Sequence, residues 1–180
     1  RVTWTIHELG PTVQYEALRS KQIDVGFWRE PKLNDDDLRH DNLRQELCFR
    51  ENVCVAVNEH HRLAKSASIE LIDIADEPML SLALDKSAFP RYLVQCCVNA
   101  GFEPMIFQEA NEPQTLLAMV GVGLGVTLVP ETTSRIGWPG VVFLPIKTNP
   151  PSANLYISYT TLDDAPVVRA FLNILNPPAA

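Results

Sequence analysis

Basic residues are scarce in this sequence. Lysine and arginine together number 15 against 22 aspartate and glutamate residues, which gives a formal net charge of -7 over 180 residues. A domain that binds nucleic acid by itself usually presents a basic surface. The chain is therefore not expected to bind DNA directly.

Cysteine patterns and long apolar runs are missing as well. None of the four cysteines, at positions 48, 54, 96 and 97, belongs to a Cys-x-x-Cys pair, so neither a disulfide framework nor a zinc site is indicated. The most apolar stretch, residues 116–130, is too short for a membrane span and contains three glycines. The first residues do not resemble a signal peptide. These features predict a cytoplasmic protein with no membrane partner.

Sequence motifs of the common enzyme classes are not found either. There is no Gly-x-Ser-x-Gly, no His-Glu-x-x-His and no phosphate-binding loop. His60 and His61 are adjacent, but no third ligand lies near them in sequence. We therefore expect no catalytic residues, no metal and no cofactor.

The residues that are present indicate an α/β protein. Apolar residues make up 46% of the chain, which is enough for folded cores. Residues 2–6 have the β-branched and aromatic pattern of a strand, residues 13–18 that of a helix, and residues 23–27 that of a second strand. This order predicts a β-α-β unit with parallel strands. Strands and helices continue to alternate along the chain.

Three glycines, Gly121, Gly123 and Gly125, occupy alternate positions in the apolar stretch. A phosphate loop needs a strand, then glycines, then a helix, because the helix N-terminus binds the anion. Here a helical pattern over residues 115–120 precedes a strand pattern over residues 126–129. We therefore expect Gly121 and Gly123 to end a helix, and Gly125 to let the backbone pass close to another group.

Several segments together resemble the effector-binding domain of LysR-type transcriptional regulators. Residues 114–130, QTLLAMVGVGLGVTLVP, resemble the most regular stretch of that domain. Residues 18–29, LRSKQIDVGFWR, resemble the family pattern L-x-x-G-x-I-D-x-G-F-x-R. The other matches are VCVAVNEHHRL at 53–63, with Arg62 where proline is usual, IELIDIADEP at 69–78, and AGFEP at 100–104. The resemblance covers essentially the whole chain.

The resemblance implies an α/β fold of two Rossmann-like lobes joined by two crossing strands, similar to periplasmic binding proteins of type 2. Lobe I is expected to comprise residues 1–50 and 126–180, and lobe II residues 51–125. Crossing strands are expected within residues 48–57 and 126–129. The family's first strand and helix of this domain, and its N-terminal winged helix-turn-helix, are expected outside the 180 residues.

The resemblance also implies the partners. A small organic acid, with aromatic acids as candidates, is expected to bind in the cleft between the lobes. DNA contact is expected only through the N-terminal domain of the parent protein, which is expected to be a homodimer or homotetramer. The alternative is a stand-alone solute-binding protein of similar fold, and a small hydrolase or lyase on the same fold ranks last.

Two predicted helix starts are candidate effector sites. Gly10, Pro11 and Thr12 follow a predicted strand and open a helix, so free backbone N–H groups and the Thr12 hydroxyl could bind an anion. The alternative is an ordinary capped turn. Ser87, Ala88 and Phe89 open a helix of lobe II, with Ser87 as a candidate N-cap. The Phe89 ring is a candidate contact for an apolar ligand body, and core packing is the alternative.

Arg29 and Val126 complete the candidate site. The resemblance places an arginine at position 29 beside the effector in the branch of the family that senses aromatic acids, and a guanidinium can pair bidentately with a carboxylate. The alternative for Arg29 is a salt bridge to Glu30 or Asp37. Val126 begins the second expected crossing strand as a candidate ligand contact, with burial at the hinge as the alternative.

Redox sensing is a competing mechanism within the family. The peroxide-sensing branch uses a reactive cysteine near the start of the helix that here spans residues 87–99, and a partner cysteine later in it. Cys97 falls at the partner's place, whereas Ala88 falls near the reactive one. Redox sensing is therefore not expected.

Overall fold

The chain passes twice between two units. The computed structural model describes residues 3–29, 33–161 and 166–175. One unit contains Arg1–Arg50 and Asn154–Ala180, and the other contains Glu51–Ala153. We call them the first and the second unit.

Helices and strands are interspersed along the described chain, although the strands at 43–49 and 53–58, and those at 141–145 and 155–160, follow each other directly. The helices are α1 (Pro11–Arg19), α2 (Asp35–His40), α3 (Ala88–Asn99), α4 (Pro113–Gly121) and α5 (Pro166–Leu175). The strands are β1 (Val25–Arg29), β2 (Leu43–Phe49), β3 (Val53–Asn58), β4 (Met79–Leu82), β5 (Ile106–Ala110), β6 (Thr127–Pro130), β7 (Val141–Pro145) and β8 (Leu155–Thr160). Two short 3-10 helices are η1 (Leu71–Ile74) and η2 (Glu131–Ile136).

The first unit is built on a three-stranded sheet with the order β1-β8-β2, in which β8 pairs antiparallel with both neighbours. Its core joins Leu18 of α1, Trp28 of β1, Leu38 of α2 and Leu43 of β2. The apolar residues of each element thus converge on one side of a small sheet.

The predicted β-α-β unit at the start of the chain is wrong. Residues 3–6 form no strand, and Ile6 is 93% exposed. β1 pairs antiparallel with β8, which lies more than 120 residues further along, and not with a parallel strand nearby. A β-branched pattern fits a pleated surface, but it becomes a strand only where another strand supplies hydrogen bonds.

The second unit has β3 at the centre of a sheet with the order β6-β3-β7. β3 is buried along Val53–Val57 and pairs antiparallel with both neighbours. β4 and β5 form a parallel pair, and a bridge between Met79 and Val126 places β4 next to the start of β6. The helices α3 and α4 pack against these strands through apolar residues such as Leu93 and Leu116.

The unit boundary differs from the expected lobe boundary. Residues 126–153 were expected in lobe I, but they belong to the second unit, because β6 and β7 both pair with β3. The chain passes between units at 50/51, as expected, and at 153/154. The second crossing therefore follows β7 and is not formed by residues 126–129.

The three glycines have the roles that the sequence predicts. α4 ends at Gly121, and Gly123 follows with a φ of +80°. The Gly123 N–H donates to Val120 O at 2.9 Å and the Leu124 N–H to Met119 O at 3.1 Å, the double bond pattern of a Schellman motif. A Cβ atom on Gly125 would lie 2.3 Å from the carbonyl oxygen of Pro78, so only glycine fits there.

Candidate functional site

The start of α1 has unused hydrogen-bond donors. Gly10 is the N-cap residue and supplies no side-chain cap, Pro11 is the first helical residue, and Thr12 is exposed. The first N–H groups of a helix have no partner within the helix, so those of Thr12 and Val13 face outward at the positive end of the helix dipole. The first turn carries no acidic residue, and no atom lies within 4 Å of a Cβ built on Gly10. This helix start is open to an anion.

Gln14 ties this helix start to β1. Its Oε1 accepts the Phe27 N–H at 2.6 Å, and its Nε2 donates to Phe27 O at 2.9 Å. Arg29 follows two residues later as the last residue of β1, half-buried and opposite Leu155. The alternative partners of Arg29, Glu30 and the side chain of Asp37, lie outside the described residues.

At the start of α3, fewer backbone N–H groups are left without a hydrogen-bond acceptor. Ser87 is the N-cap, as predicted, and its Oγ accepts the Phe89 N–H at 3.2 Å. Pro90, in the same turn, has no N–H to offer. Ala88 therefore keeps the main free N–H of this turn. Phe89 is half-buried: it packs against the core of the second unit and lies on Tyr92, with ring centroids 6.2 Å apart.

Val126 is a core residue. Its side chain is fully buried, its N–H donates to Pro78 O at 2.9 Å, and its carbonyl accepts the Leu80 N–H at 2.8 Å. Burial fits the alternative role of this residue, and its role as a ligand contact stays a prediction. Of the other candidates, Gly10, Pro11, Thr12 and Arg29 lie in the first unit, and Ser87, Ala88 and Phe89 lie in the second.

Sequence reasoning missed two features. Gln14 could not be recognised because its partner, Phe27, becomes a neighbour only in the folded unit. A surface cavity of about 630 Å³ on β5 and α4 was also missed, and Phe107, Met119 and Leu124 are among its lining residues. None of the predicted site residues lines this cavity. The start of α1, by contrast, offers backbone N–H donors in the same unit as Arg29 and is the stronger candidate for an anion site.

Two cysteines are buried thiols. Burial raises the pKa of Cys54 to about 12 and that of Cys97 to about 12. The thiolate is the reactive form of cysteine, and these two thiols stay protonated at neutral pH. The structure thus does not support a redox-active thiol at Cys97.

The adjacent histidines have structural partners. His61 Nε2 lies 3.2 Å from a Glu77 oxygen, and Arg62 Nε lies 2.8 Å from the other. Burial opposes ionisation of Glu77, but hydrogen bonds from His61 and Arg62 outweigh it and lower the pKa of this carboxyl. Arg62, at the place where the family usually has proline, also donates to the backbone oxygen of Asp73 in η1 at 2.6 Å. Among the residues that the structure describes, no group of three metal-binding side chains is found.

In the described parts of the chain, no helix has the length and apolar character needed to cross a membrane.

Comparison with known proteins identifies the family. The family model of the LysR substrate binding domain matches residues 1–177. The HTH-type transcriptional regulator XapR of Escherichia coli K12 is 34% identical over 168 residues, which cover 92% of this chain and 54% of XapR. The HTH-type transcriptional regulator ShiR of Corynebacterium glutamicum is 36% identical over 159 residues, 81% of this chain and 52% of ShiR. The chain thus spans about half the length of these curated relatives.

A solved structure confirms the predicted fold class. The effector-binding domain of BenM with its effector benzoate superimposes with a TM-score of 0.81 and 25% identity, over 94% of this chain and 75% of that one. The α/β fold is therefore the two-lobe, periplasmic-binding-protein-like fold of type 2. With a family model matching nearly its whole length, this chain belongs to the LysR substrate-binding domain family.

Proposed function

We propose that this chain is the ligand-sensing domain of a LysR-type transcriptional regulator and that its effector is a small molecule with a carboxylate group. The observation that carries the proposal is the uncapped start of α1, which offers backbone N–H groups in the same unit as Arg29. BenM, whose effector-binding domain has the same fold, was solved with benzoate. Benzoate is therefore the first probe to test.

The described helix starts differ in how well they suit an anion. A negative charge at a helix N-terminus gains about 0.3–1 kcal/mol at an exposed position and up to about 2 kcal/mol where it is partly buried. At α4 the N-cap is Glu112, whose own charge repels an anion. At α3, Ser87 already accepts one N–H and Pro90 supplies none. The start of α1 combines an uncapped turn with the Thr12 hydroxyl, and this favours it as the carboxylate site.

The start of α3 offers a different kind of ligand contact from the start of α1. Phe89 is partly exposed, and Ser87 Oγ accepts the Phe89 N–H and not that of Ala88. An apolar or aromatic ligand body gains contact area on such a ring. The expected location of the effector between the lobes stays a prediction.

We further propose that the parent protein acts through DNA. The curated relatives are named HTH-type regulators, and this chain covers about half of each. Its net charge of -7 suits a sensing domain better than a DNA-contacting one. A helix-turn-helix domain outside these 180 residues, a homodimeric or homotetrameric parent and a cytoplasmic location complete the proposal.

Arg29→Ala tests the carboxylate site. Isothermal titration calorimetry with benzoate should show binding weakened by about 1–3 kcal/mol, because a charge-assisted hydrogen bond is lost. Arg135→Ala, which removes an arginine of η2 in the second unit, is the matched control. It should bind benzoate with the wild-type affinity.

Thermal stabilisation by a panel of acids and a neutral analogue tests whether the effector must carry a carboxylate. Wild-type protein should be stabilised by benzoate or a related acid, and not by benzamide, which lacks the charge. Equal stabilisation by benzamide would show that the carboxylate charge is not recognised, and unchanged affinity of Arg29→Ala would show that Arg29 does not pair with it.

A further inference from the structure

The segments where the chain enters and leaves the second unit pair with each other. Asn52 and Ser152 form an antiparallel bridge. On either side of it, the Val53 N–H donates to Pro151 O at 2.8 Å and the Ala153 N–H donates to Glu51 O at 2.7 Å. We call this short pairing of residues 51–53 with 151–153 the junction ladder.

The junction ladder is buried on both sides of its Asn52–Ser152 bridge, and η2 contacts it from one side. Val53 and Ala153 are fully buried in the main core of the second unit. The Glu51 side chain, only 7% exposed, accepts the Thr132 N–H at 2.5 Å. The ladder therefore has little freedom to move without a change in the groups that touch it.

Tyr92 holds the ladder from the side of α3. The Ser152 N–H donates to Tyr92 Oη at 3.1 Å, and the Ser152 hydroxyl lies 3.3 Å from the same oxygen. Burial raises the pKa of Tyr92, so its hydroxyl is neutral at physiological pH. Tyr92 and Ser152 are 60 residues apart in the chain, and this contact joins α3 to the ladder directly.

The ring of Tyr92 also supports Phe89. The two rings lie nearly parallel, 25° apart, one turn of α3 from each other. Phe89 and Tyr92 pack against the core cluster that contains Val53 and Ala153. One side chain therefore contacts the proposed effector-binding ring with its own ring and the junction ladder with its hydroxyl.

We propose that Tyr92 is a positioning residue that links Phe89 to the junction ladder, so that a ligand ordering the Phe89 ring also stabilises the ladder. The sensing part of this inference rests on the proposed function. The mechanical part, that Tyr92 connects the ring to the ladder, does not depend on any ligand.

Amide hydrogen exchange at Val53 and Ala153 measures the ladder directly. Without ligand, Tyr92→Phe should speed exchange of both amides about five- to tenfold, because it removes the hydroxyl and keeps the ring. Tyr159→Phe is the matched control. It removes a hydroxyl that donates to Glu46 at 2.6 Å in the first unit, and it should leave both amides at the wild-type rate.

A double-mutant cycle tests the link without a ligand. Phe89→Leu should speed exchange at Ala153 in the wild-type background and add little in the Tyr92→Phe background, because coupled residues are not additive. Ser152→Ala keeps the N–H donor and should have a smaller effect than Tyr92→Phe. Wild-type exchange in Tyr92→Phe, or effects of the two substitutions that simply multiply, would overturn the proposal.

Benzoate at saturation then tests transmission. It should slow exchange at Val53 and Ala153 in wild-type protein and not in Tyr92→Phe. Equal slowing in both proteins would also overturn the role of Tyr92. If the cycle shows coupling but benzoate leaves the wild-type amides unchanged, the link stands and the proposed effector chemistry is what fails.

Discussion

Replacing Gly125 with alanine tests the close approach of two backbone segments in the second unit. The new Cβ atom would lie 2.3 Å from Pro78 O, and real Cβ contacts are essentially never under 3.0 Å, so the segments must separate by at least 0.7 Å. The same oxygen accepts the Val126 N–H at 2.9 Å, and the next bond of this pairing joins the Leu80 N–H to Val126 O. The substitution therefore strains both bonds.

The expected cost follows from these contacts. Overpacking of a well-packed site costs about 1–3 kcal/mol, and each weakened hydrogen bond about 0.5–1.5 kcal/mol. Gly125→Ala should thus destabilise the second unit by about 2–6 kcal/mol. Urea denaturation followed by circular dichroism should show a midpoint lowered by about 1 M or more at an unchanged slope.

Gly123→Ala is the matched control. Gly123 has a φ of +80°, but no atom lies within 4 Å of its Cβ position, so alanine there meets only a conformational cost of about 1–2 kcal/mol. If Gly125→Ala loses no more stability than Gly123→Ala, the contact with Pro78 does not limit this position and the reasoning is refuted.

Two smaller predictions concern the first unit. Lys21 has a φ of +58° after α1, where the family pattern L-x-x-G has glycine, so Lys21→Gly should stabilise the unit by about 0.5–1 kcal/mol in thermal unfolding. No gain over Lys21→Ala would contradict this. Asp41 accepts the Tyr15 hydroxyl at 2.5 Å, and this hydrogen bond lowers the pKa of the Asp41 carboxyl against the opposing effect of burial, with smaller contributions from His40 and Arg19. Its contribution to stability should be complete above about pH 5, where the carboxyl is ionised in both states, and be lost as the pH falls through the folded-state pKa. Urea midpoints between about pH 2 and 6 should depend less on pH in Asp41→Asn, and an equal dependence would argue against this pairing.

The sequence predicted the features that depend on local chemistry. Ser87 was recognised as an N-cap because a hydroxyl before a helix accepts an N–H two residues away. The glycines at 121 and 123 were recognised as a helix end because the left-handed turn involves only neighbouring residues. The two helix starts of the candidate site can be located from the sequence for the same reason, because capping depends on neighbouring residues.

Features that depend on distant partners were missed. The strand pattern of residues 3–6 has no pairing partner among the described residues, and β1 pairs with β8 from the far end of the chain. Gln14 and Tyr92 have ordinary sequence surroundings, and only folding brings them to Phe27 and Ser152. The sequence around such a residue therefore does not predict which distant group its side chain contacts.

The unit boundary shows why a strand pattern cannot assign a strand to a lobe. A short apolar strand such as β6 has the same pattern whether it crosses between units or lies inside one. Here β6 pairs with β3 from Val53↔Pro130 to Ala56↔Thr127, and β7 pairs with the other edge of β3. A division at residue 125 would separate β3 from both neighbours and break the Met79–Val126 bridge. Because buried backbone groups must remain hydrogen-bonded, the chain can leave this unit only after β7, where the pairing of Asn52 with Ser152 closes it.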